Sequence, residues 1–191
     1  FIFATNGTEL STEWSKTVIN ECKKISKEIS KEDIETRRDF RNLNFVTIDG
    51  SNAKDFDDAV YAEELSDGFR LYVAIADVSA YVTKDSQLDK EAFSRATSVY
   101  FEKKVIPMLP ELISNQLCSL RPNEDKLVLT CEIYLDNRGE IKDFEFFNSV
   151  ICSKNRLTYD EVEKFYQKGQ TALLDDAVNN LRVLKKIHSL R

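Results

Sequence analysis

The sequence predicts an α+β fold, in which a mixed or antiparallel sheet is flanked by helices. Three observations indicate this class. Short apolar segments rich in β-formers occupy the middle of the chain, as in "FVTID" and "DAVYAEEL". Apolar residues recur at helical spacing towards both ends. The predicted order is helix, strands, helices, hairpin and helices, without the strict alternation that is typical of a parallel sheet.

The first helix is predicted over residues 12–30, with Ser11 or Thr12 as its N-cap. Its apolar side chains share one helical face: Trp14, Val18, Cys22, Ile25 and Ile29. The charged stretch "KEDIETRRDFR" follows. It is either a solvated helix face or linker, or a surface whose arginines Arg37, Arg38 and Arg41 meet phosphates.

The middle of the chain predicts four consecutive features after the two short strands. "FRLYVAIADVSAYV" is expected to form a long central strand, and "LDKEAFSRATSVY" a helix. "VIPMLP" reads as a rigid apolar connector, because each proline restricts the residue before it. "PELISNQLCSL" predicts a short helix with Pro110 in its first turn.

The last third predicts a hairpin and two helices. "KLVLTCEIYLD" and "EIKDFEFFNSVICS" flank the turn signal "NRG". In "RLTYDEVEKFY", Thr158 and Glu161 have the spacing of a capping box. The final helix repeats apolar residues at Leu174, Val178, Leu181 and Leu184.

Composition excludes several classes of protein. The chain has 191 residues, and no apolar run approaches the length of a membrane span. No signal peptide opens it. The four cysteines are widely spaced, which indicates reduced core thiols in a cytosolic protein. His188 is the only histidine and is expected at the surface, so a histidine-based triad or zinc site could be built only around it.

The stretch "VTIDGSNAKDFDDAV" concentrates negative charge through Asp49, Asp55, Asp57 and Asp58. Two unit charges about 4 Å apart repel by roughly 4 kcal/mol at an effective dielectric near 20. Exposure to water, basic partners or bound cations could offset this repulsion. Lys54 is the only basic residue nearby in sequence, and Asp57 and Asp58 run directly into an apolar strand. The residues alone therefore leave a metal–phosphate site and a polar turn as open interpretations.

The same stretch resembles the signature of the ribonuclease II/R family, the exoribonucleases with an RNB catalytic domain. Further similar segments follow in the family's order, including "LYVAIADVSAYV", "LDKEAFSRATSVYF", "VIPMLPE", "ISNQLCSL" and "RLTYDEV". They extend from about Arg37 to Val162. The resemblance implies a hydrolase that degrades single-stranded RNA processively from the 3′ end and releases nucleoside 5′-monophosphates.

The resemblance also implies roles for individual residues. Asp49, Asp55, Asp57 and Asp58 would be ligands of Mg²⁺, which Mn²⁺ can replace, and the last three would organise the attacking water. Tyr100 would contact a base in the RNA channel, and Tyr159 would lie near the 3′-terminal nucleotide. Their structural alternatives are core packing for Tyr100 and a helix-start contact for Tyr159.

Two positions depart from the family pattern, and neither is one of the aspartates. Ala80 replaces a histidine that many ribonuclease R-like members carry, and Asp85 replaces a common glycine.

The predicted organisation is a linker helix region over residues 1–41 and the N-terminal part of an RNB domain over residues 42–191. The family's downstream glutamate, its phosphate-clamping arginine and its OB-fold RNA-binding domains would lie outside this sequence. The chain alone is therefore expected to be inactive.

The net charge of −6 is unusual for a nucleic-acid-binding protein. It fits the interpretation that this part of the catalytic domain holds metals while other parts of the protein bind RNA. The expected location is the cytoplasm. Alternatives are a non-catalytic RNA-binding relative and a structural domain stabilised by a divalent metal.

Overall fold

The computed structural model describes residues 11–101, 104–169 and 175–190. The chain divides into two compact units, and each unit draws on two segments of the sequence. The described residues up to Glu28 and the segment Val78–Leu117 form one unit. The described residues of Ile29–Asp77 and Cys118–Arg191 form the other unit, which contains all four clustered aspartates.

The helices, in chain order, are α1 (Lys16–Cys22), α2 (Lys31–Glu35), α3 (Gln87–Arg95), α4 (Tyr159–Lys168) and α5 (Asp175–Ser189). A 3₁₀ turn spans Val78–Ala80, and a π-helical turn spans Ile113–Leu117. The strands are β1 (Arg38–Asp39), β2 (Val46–Asp49), β3 (Asp58–Leu65), β4 (Gly68–Ala76), β5 (Val99–Phe101), β6 (Lys104–Ile106), β7 (Asp125–Asp136), β8 (Ile141–Cys152) and β9 (Asn155–Thr158). Among the described residues, no helix is both long and apolar enough to cross a membrane.

The larger unit is built on one seven-stranded sheet in the order β1-β8-β7-β4-β3-β2-β9. The two outermost pairs, β1 with β8 and β2 with β9, are parallel, and the inner pairs are antiparallel. The prediction of an α+β fold with a mixed sheet is therefore confirmed, and β4 is a central strand as predicted. It ends at Ala76 rather than continuing through "DVSAYV".

Helices α4 and α5 cover one face of this sheet. Their apolar side chains pack on β2 and β9 in a buried cluster of Val46, Leu157, Val162, Phe165, Ala177, Val178 and Leu181. A second cluster joins Ile187 of α5 to Ala62, Phe69 and Leu135. Helical spacing thus places Val178 and Leu181 in the core as predicted, whereas Leu174 lies outside the described residues.

The smaller unit contains α1, α3 and the two-stranded ribbon β5–β6. Helices α1 and α3 bury Val18 and Leu88. Arg95 stacks on Trp14, with its guanidinium carbon 3.6 Å from the ring centroid, and donates to the carbonyls of Ser11 and Glu13. These contacts fasten the segment before α1 to α3.

The predicted first helix over residues 12–30 was wrong in its extent. Helix α1 covers only Lys16–Cys22, and its N-cap is Ser15 rather than Ser11 or Thr12. Beyond it the Ser26 hydroxyl bonds to the carbonyl and the N–H of Glu28. Such local side-chain bonds compete with helical hydrogen bonds, so apolar spacing alone overestimated the length.

The region after α3 also differs from its prediction. The helix ends at Arg95 because Ala96 takes a left-handed φ of 61°. The residues predicted to continue it enter β5, and part of the predicted connector forms β6. The short helix predicted after Pro110 is largely a π-helical turn.

Several other predictions are confirmed. Strand β3 has the predicted bounds, and β7 and β8 form the predicted hairpin. All four cysteines are free thiols. Cys22 and Cys118 are buried as predicted, whereas Cys131 and Cys152 are half-buried rather than core residues. His188 is exposed, as expected.

Candidate functional site

The four aspartates lie along one edge of the seven-stranded sheet. Strand β2 ends at Asp49, and the antiparallel strand β3 begins at Asp58, opposite Ile75 near the end of β4. Residues 50–57, called here the aspartate loop, connect the two strands and carry Asp55 and Asp57. The Asp57 carbonyl accepts from the Ala76 N–H at 2.9 Å, which fixes the end of the loop to β4.

Asp57 is affected by the charges of all three other aspartates. Its pKa is raised, first because surrounding protein atoms reduce the hydration of its carboxylate, although the side chain still reaches solvent. The charges of Asp55, Asp58 and Asp49 raise this pKa further. The fold therefore brings the four carboxylates into one electrostatic neighbourhood, where each disfavours ionisation of Asp57.

Asp49 is half-buried, and its pKa is also raised. Desolvation is the largest cause, followed by the charge of Asp58, while the nearby Arg156 guanidinium opposes the rise and Asp55 adds to it. The Oδ2 atom of Asp49 is buried without a hydrogen-bond partner. A buried carboxylate oxygen without a donor is costly, and a bound cation would satisfy it.

The chemistry of these side chains fits a hard divalent cation, because carboxylate oxygens are the ligands that Mg²⁺ prefers. Within the described part of the chain, however, no three His, Cys, Asp or Glu side chains are arranged to hold one metal ion. Mg²⁺ is usually bound by one or two carboxylates together with water and substrate phosphate oxygens. The aspartates thus fit as an open, partial ligand set rather than a closed cage.

The backbone of the aspartate loop is held by a serine that the sequence analysis did not single out. The Ser119 hydroxyl accepts from the Phe56 N–H at 3.1 Å and donates to the Lys54 carbonyl at 2.9 Å. The next residue, Leu120, donates its N–H to the Phe56 carbonyl at 2.8 Å. Ser119 is fully buried.

Arg156 holds the other end of the loop and was also missed. Its Nη2 atom donates to the carbonyls of Gly50 and Ser51, both at 2.9 Å. Its guanidinium carbon lies 5.4 Å from the centroid of the Phe56 ring. The only sequence signal for either residue was membership of the segments "ISNQLCSL" and "RLTYDEV", which gave them no role.

Tyr159 directly follows a strand that pairs with β2, the strand that ends at Asp49. Strand β9 runs parallel to β2, and its last residue, Thr158, is opposite Asp49. Tyr159 follows as the first residue of α4 and is 62% exposed. The predicted capping box is present: Thr158 accepts from the Glu161 N–H, and Glu161 accepts from the Thr158 N–H.

Tyr100 belongs to β5 in the smaller unit and is 68% exposed. Core packing, its structural alternative, was therefore wrong. An exposed ring is compatible with contact to a ligand, which stays a prediction for both tyrosines.

The arginines of the charged stretch contact protein carboxylates. Arg37 forms a largely buried ion pair with Asp77 at 2.6 Å. Arg38 lies over the Phe147 ring, with its guanidinium carbon 4.1 Å from the centroid. Arg41 bonds to Asp39 and Asp125. These side chains help to join β1 to the sheet, and their contact with phosphates stays a prediction. Helix α2, at the start of the stretch, has no buried residue, as expected for a solvated helix.

Residues 37–191 match the RNB domain family. Because the match covers most of the chain, the protein belongs to the RNB domain family.

Its relatives include ribonucleases R. The chain is 48% identical over 181 residues to ribonuclease R of Acidithiobacillus ferrooxidans, covering 95% of this chain and 41% of that protein. Mycoplasma genitalium RNase R in complex with double-stranded RNA superposes with a TM-score of 0.92 at 38% identity, covering 97% of this chain and 33% of that chain. The same protein in complex with ribose methylated single-stranded RNA gives a TM-score of 0.91 at 38% identity, covering 97% of this chain and 29% of that chain. The chain thus spans less than half the length of these relatives.

Proposed function

We propose that this protein takes part in RNA degradation as a metal-dependent hydrolytic 3′-to-5′ exoribonuclease that releases nucleoside 5′-monophosphates. The observation that carries the proposal is the shared neighbourhood of four aspartates at one sheet edge, with the Asp49 Oδ2 atom buried and unpartnered. Membership of the RNB domain family and similarity to ribonucleases R support it.

In this proposal Asp49, Asp55, Asp57 and Asp58 would supply oxygen ligands to Mg²⁺, or to Mn²⁺ in its place, together with water and substrate phosphate oxygens. When bound, the metal lowers the pKa of a water and neutralises charge on the leaving oxygen. Desolvation, and then the charges of the other three carboxylates, raise the pKa of Asp57, and this concentration of negative charge makes the site favourable for cations. Asp49 contributes an oxygen that the protein leaves unsatisfied.

The carboxylates of Asp55, Asp57 and Asp58 also orient the attacking water. Asp55 and Asp57 extend from a loop whose backbone is fixed by hydrogen bonds, and Asp58 extends from a strand that is paired on both sides. Preorganised charge of this kind acts without rearrangement during the reaction. Water would attack the terminal phosphodiester, and the RNA 3′-oxygen of the preceding nucleotide would leave.

The proposed substrate is single-stranded RNA, and Tyr100 and Tyr159 are the proposed RNA-binding residues. Both rings are mostly exposed, as stacking on a base requires. Stacking tolerates any base, because every base presents a π-face. The Mycoplasma genitalium relative forms complexes with both single- and double-stranded RNA. We place the activity in the cytoplasm, where the free thiols would stay reduced.

The test uses the protein at its natural length and 5′-labelled single-stranded RNA with Mg²⁺. We expect progressive shortening from the 3′ end and nucleoside 5′-monophosphates as products. Asp57→Asn keeps the shape of the side chain and removes its charge. It should lower turnover by at least 100-fold while the Kd for RNA stays within a few-fold, since a catalytic group supplies typically 10²–10⁴-fold.

The matched control is Asp67→Asn. Asp67 is an exposed aspartate in the turn between β3 and β4, at the other end of those strands. It should retain full activity. Equal turnover by Asp57→Asn and wild type at saturating Mg²⁺ would remove Asp57 from the mechanism. A wild type that binds RNA or Mg²⁺ but leaves RNA intact would instead favour a non-catalytic RNA-binding protein or a metal-stabilised domain.

A further inference from the structure

We infer that Ser119 and Arg156 form a two-point clamp on the backbone of the aspartate loop and thereby position its carboxylates for the metal. The catalytic consequence of this clamp rests on the proposed function. The clamp itself rests on hydrogen bonds of the larger unit.

The Ser119 hydroxyl bridges the two peptide groups that flank Asp55. It donates to the carbonyl of Lys54 and accepts from the N–H of Phe56. One buried atom therefore fixes the chain direction immediately before and after Asp55. The Leu120 N–H adds a third bond, to the Phe56 carbonyl, and orients the peptide that leads into Asp57.

Arg156 fixes the start of the loop. Its two bonds to the Gly50 and Ser51 carbonyls hold the chain immediately after Asp49. The Ala53 N–H also bonds to the Gly50 carbonyl, at 3.1 Å, which closes the local turn. The contact of the guanidinium with the Phe56 ring links this end of the loop to the end held by Ser119.

A clamp is needed because the carboxylates in and beside the aspartate loop have the same charge. Carboxylates at this density repel one another, so a loop free to move would separate them and lose the geometry that favours a cation. Partners that orient metal ligands typically affect metal affinity or activity by 10–100-fold when they are removed. Ser119 and Arg156 bond to backbone atoms of the loop, so both are positioning residues.

The experiment measures Mn²⁺ affinity and steady-state kinetics in the protein at its natural length. Ser119→Ala leaves the Phe56 N–H and the Lys54 carbonyl without their shared partner. We expect it to weaken Mn²⁺ binding and to lower kcat by 10–100-fold, with the KM for RNA nearly unchanged. Ser119→Cys keeps a weaker hydrogen-bonding group and should lie between alanine and wild type.

Arg156→Ala should have the same kinetic signature, and Arg156→Lys should recover part of the loss, because an ammonium group can still donate to a carbonyl. Hydrogen exchange of the amides in the aspartate loop should accelerate in both alanine variants. That readout does not depend on activity.

The control for Ser119 is Ser149→Ala, which removes another fully buried hydroxyl, bonded to Thr130 in the sheet. The control for Arg156 is Arg182→Ala, an exposed arginine of α5. Clamp variants with the Mn²⁺ affinity, kcat and loop exchange of their controls would overturn the inference. If Ser119→Ala does not fold, Ser119→Cys and the arginine variants decide it. A wild type that binds no Mn²⁺ and leaves RNA intact would instead refute the proposed function, while loop exchange would still test the clamp.

Discussion

Single side chains at the sheet edge carry an electrostatic cost that should appear in stability. Asp57 has an ordinary pKa of 3.8 in the unfolded chain and a raised pKa in the fold. The folded protein therefore binds this proton more tightly than the unfolded chain does. Its free energy of unfolding falls as pH rises from the ordinary value through the raised pKa, and the full cost is present at neutral pH.

Asp57→Asn removes this cost, so the variant should unfold at a higher temperature than wild type at neutral pH. The difference should shrink as pH falls towards about 4, where the unfolded carboxyl also becomes protonated. Mg²⁺ should stabilise wild type more than the variant. Thermal unfolding from neutral pH to about pH 4 is the measurement, and a difference that does not change over this range would contradict the account.

The residues of the candidate site differ in how far sequence could predict them. Asp49, Asp55, Asp57 and Asp58 stand within ten positions of the sequence, so their proximity in space follows from proximity in sequence. Ser119 and Arg156 reach the same loop from 63 and 106 positions away along the chain. Only the sheet topology brings these residues to the loop, and no local pattern could indicate it.

At the level of elements, one buried asparagine forms hydrogen bonds with main-chain groups of β3. Asn180 of α5 is 2% exposed. Its Oδ1 accepts from the Ala62 N–H at 2.9 Å, and its Nδ2 donates to the carbonyls of Asn44 and Val60, both at 3.1 Å. It thus satisfies main-chain groups near the short pairing of β2 with β3.

Asn180→Ala should therefore lower the free energy of unfolding by about 1–3 kcal/mol for the unsatisfied Ala62 N–H alone. The matched control is Asn179→Ala, the exposed neighbour on the same helix, which bonds to Arg182. It should change stability by less than about 0.5 kcal/mol. Urea denaturation of both variants tests this, and equal midpoints would show that the bonds of Asn180 contribute nothing.

The capping box at the start of α4 predicts a pH dependence of stability opposite to that of Asp57, because its contribution to stability is lost as pH falls. Hydrogen bonds from Thr158 lower the pKa of Glu161, so this carboxylate stabilises the fold above its unfolded pKa and loses that effect as pH falls through the lowered value. Thr158→Ala should cost about 1 kcal/mol at neutral pH. The cost should diminish in acid. A cost that stays constant down to acid pH would mean that the Glu161 carboxylate plays no part in it.

Elements were predictable where a local pattern and the tertiary contacts agreed. Strand β3, the β7–β8 hairpin and the capping box follow from alternation, turn residues and spacing. The first helix was overestimated because the Ser26 hydroxyl bonds locally and ends the helical pattern. The β5–β6 ribbon was hidden because its strands are three residues each, too short to give a periodic signal.

For the whole molecule, the part of the helix-bearing face of the sheet that α4 and α5 leave uncovered predicts association. Ile75, Leu129, Phe144 and Phe146 project from the same side of β4, β7 and β8, as the strand register requires, and are 44–60% exposed. A contiguous apolar surface of this kind favours contact with other molecules. The 191-residue chain should therefore self-associate, and Phe144→Ser combined with Phe146→Ser should reduce this.

The control is Phe93→Ser, which removes an isolated phenylalanine that is 87% exposed on α3. It should leave the association unchanged. Sedimentation velocity over a range of concentrations measures the effect, and a wild-type chain that stays monomeric throughout would refute the prediction.

We also expect the 191-residue chain to degrade RNA far more slowly than a full-length relative such as ribonuclease R of Acidithiobacillus ferrooxidans. Its net charge of −6 opposes approach of RNA at long range. It spans 41% of that relative, so more than half of the relative's sequence has no counterpart in it. Parallel assays with labelled single-stranded RNA and Mg²⁺ test this, and comparable rates would show that this chain suffices.

The parallel pairing of β2 with β9 has a consequence for the timing of synthesis. Arg156 is 106 positions after Gly50, whose carbonyl it binds. Ribosomes add about 5–20 residues per second, so roughly 5 to 20 seconds separate the emergence of the two ends of this contact. Until β9 joins the sheet, the aspartate loop lacks one of its two anchors. A nascent chain therefore carries its acidic cluster with only part of its backbone support, and the candidate site is completed only after β9 has emerged.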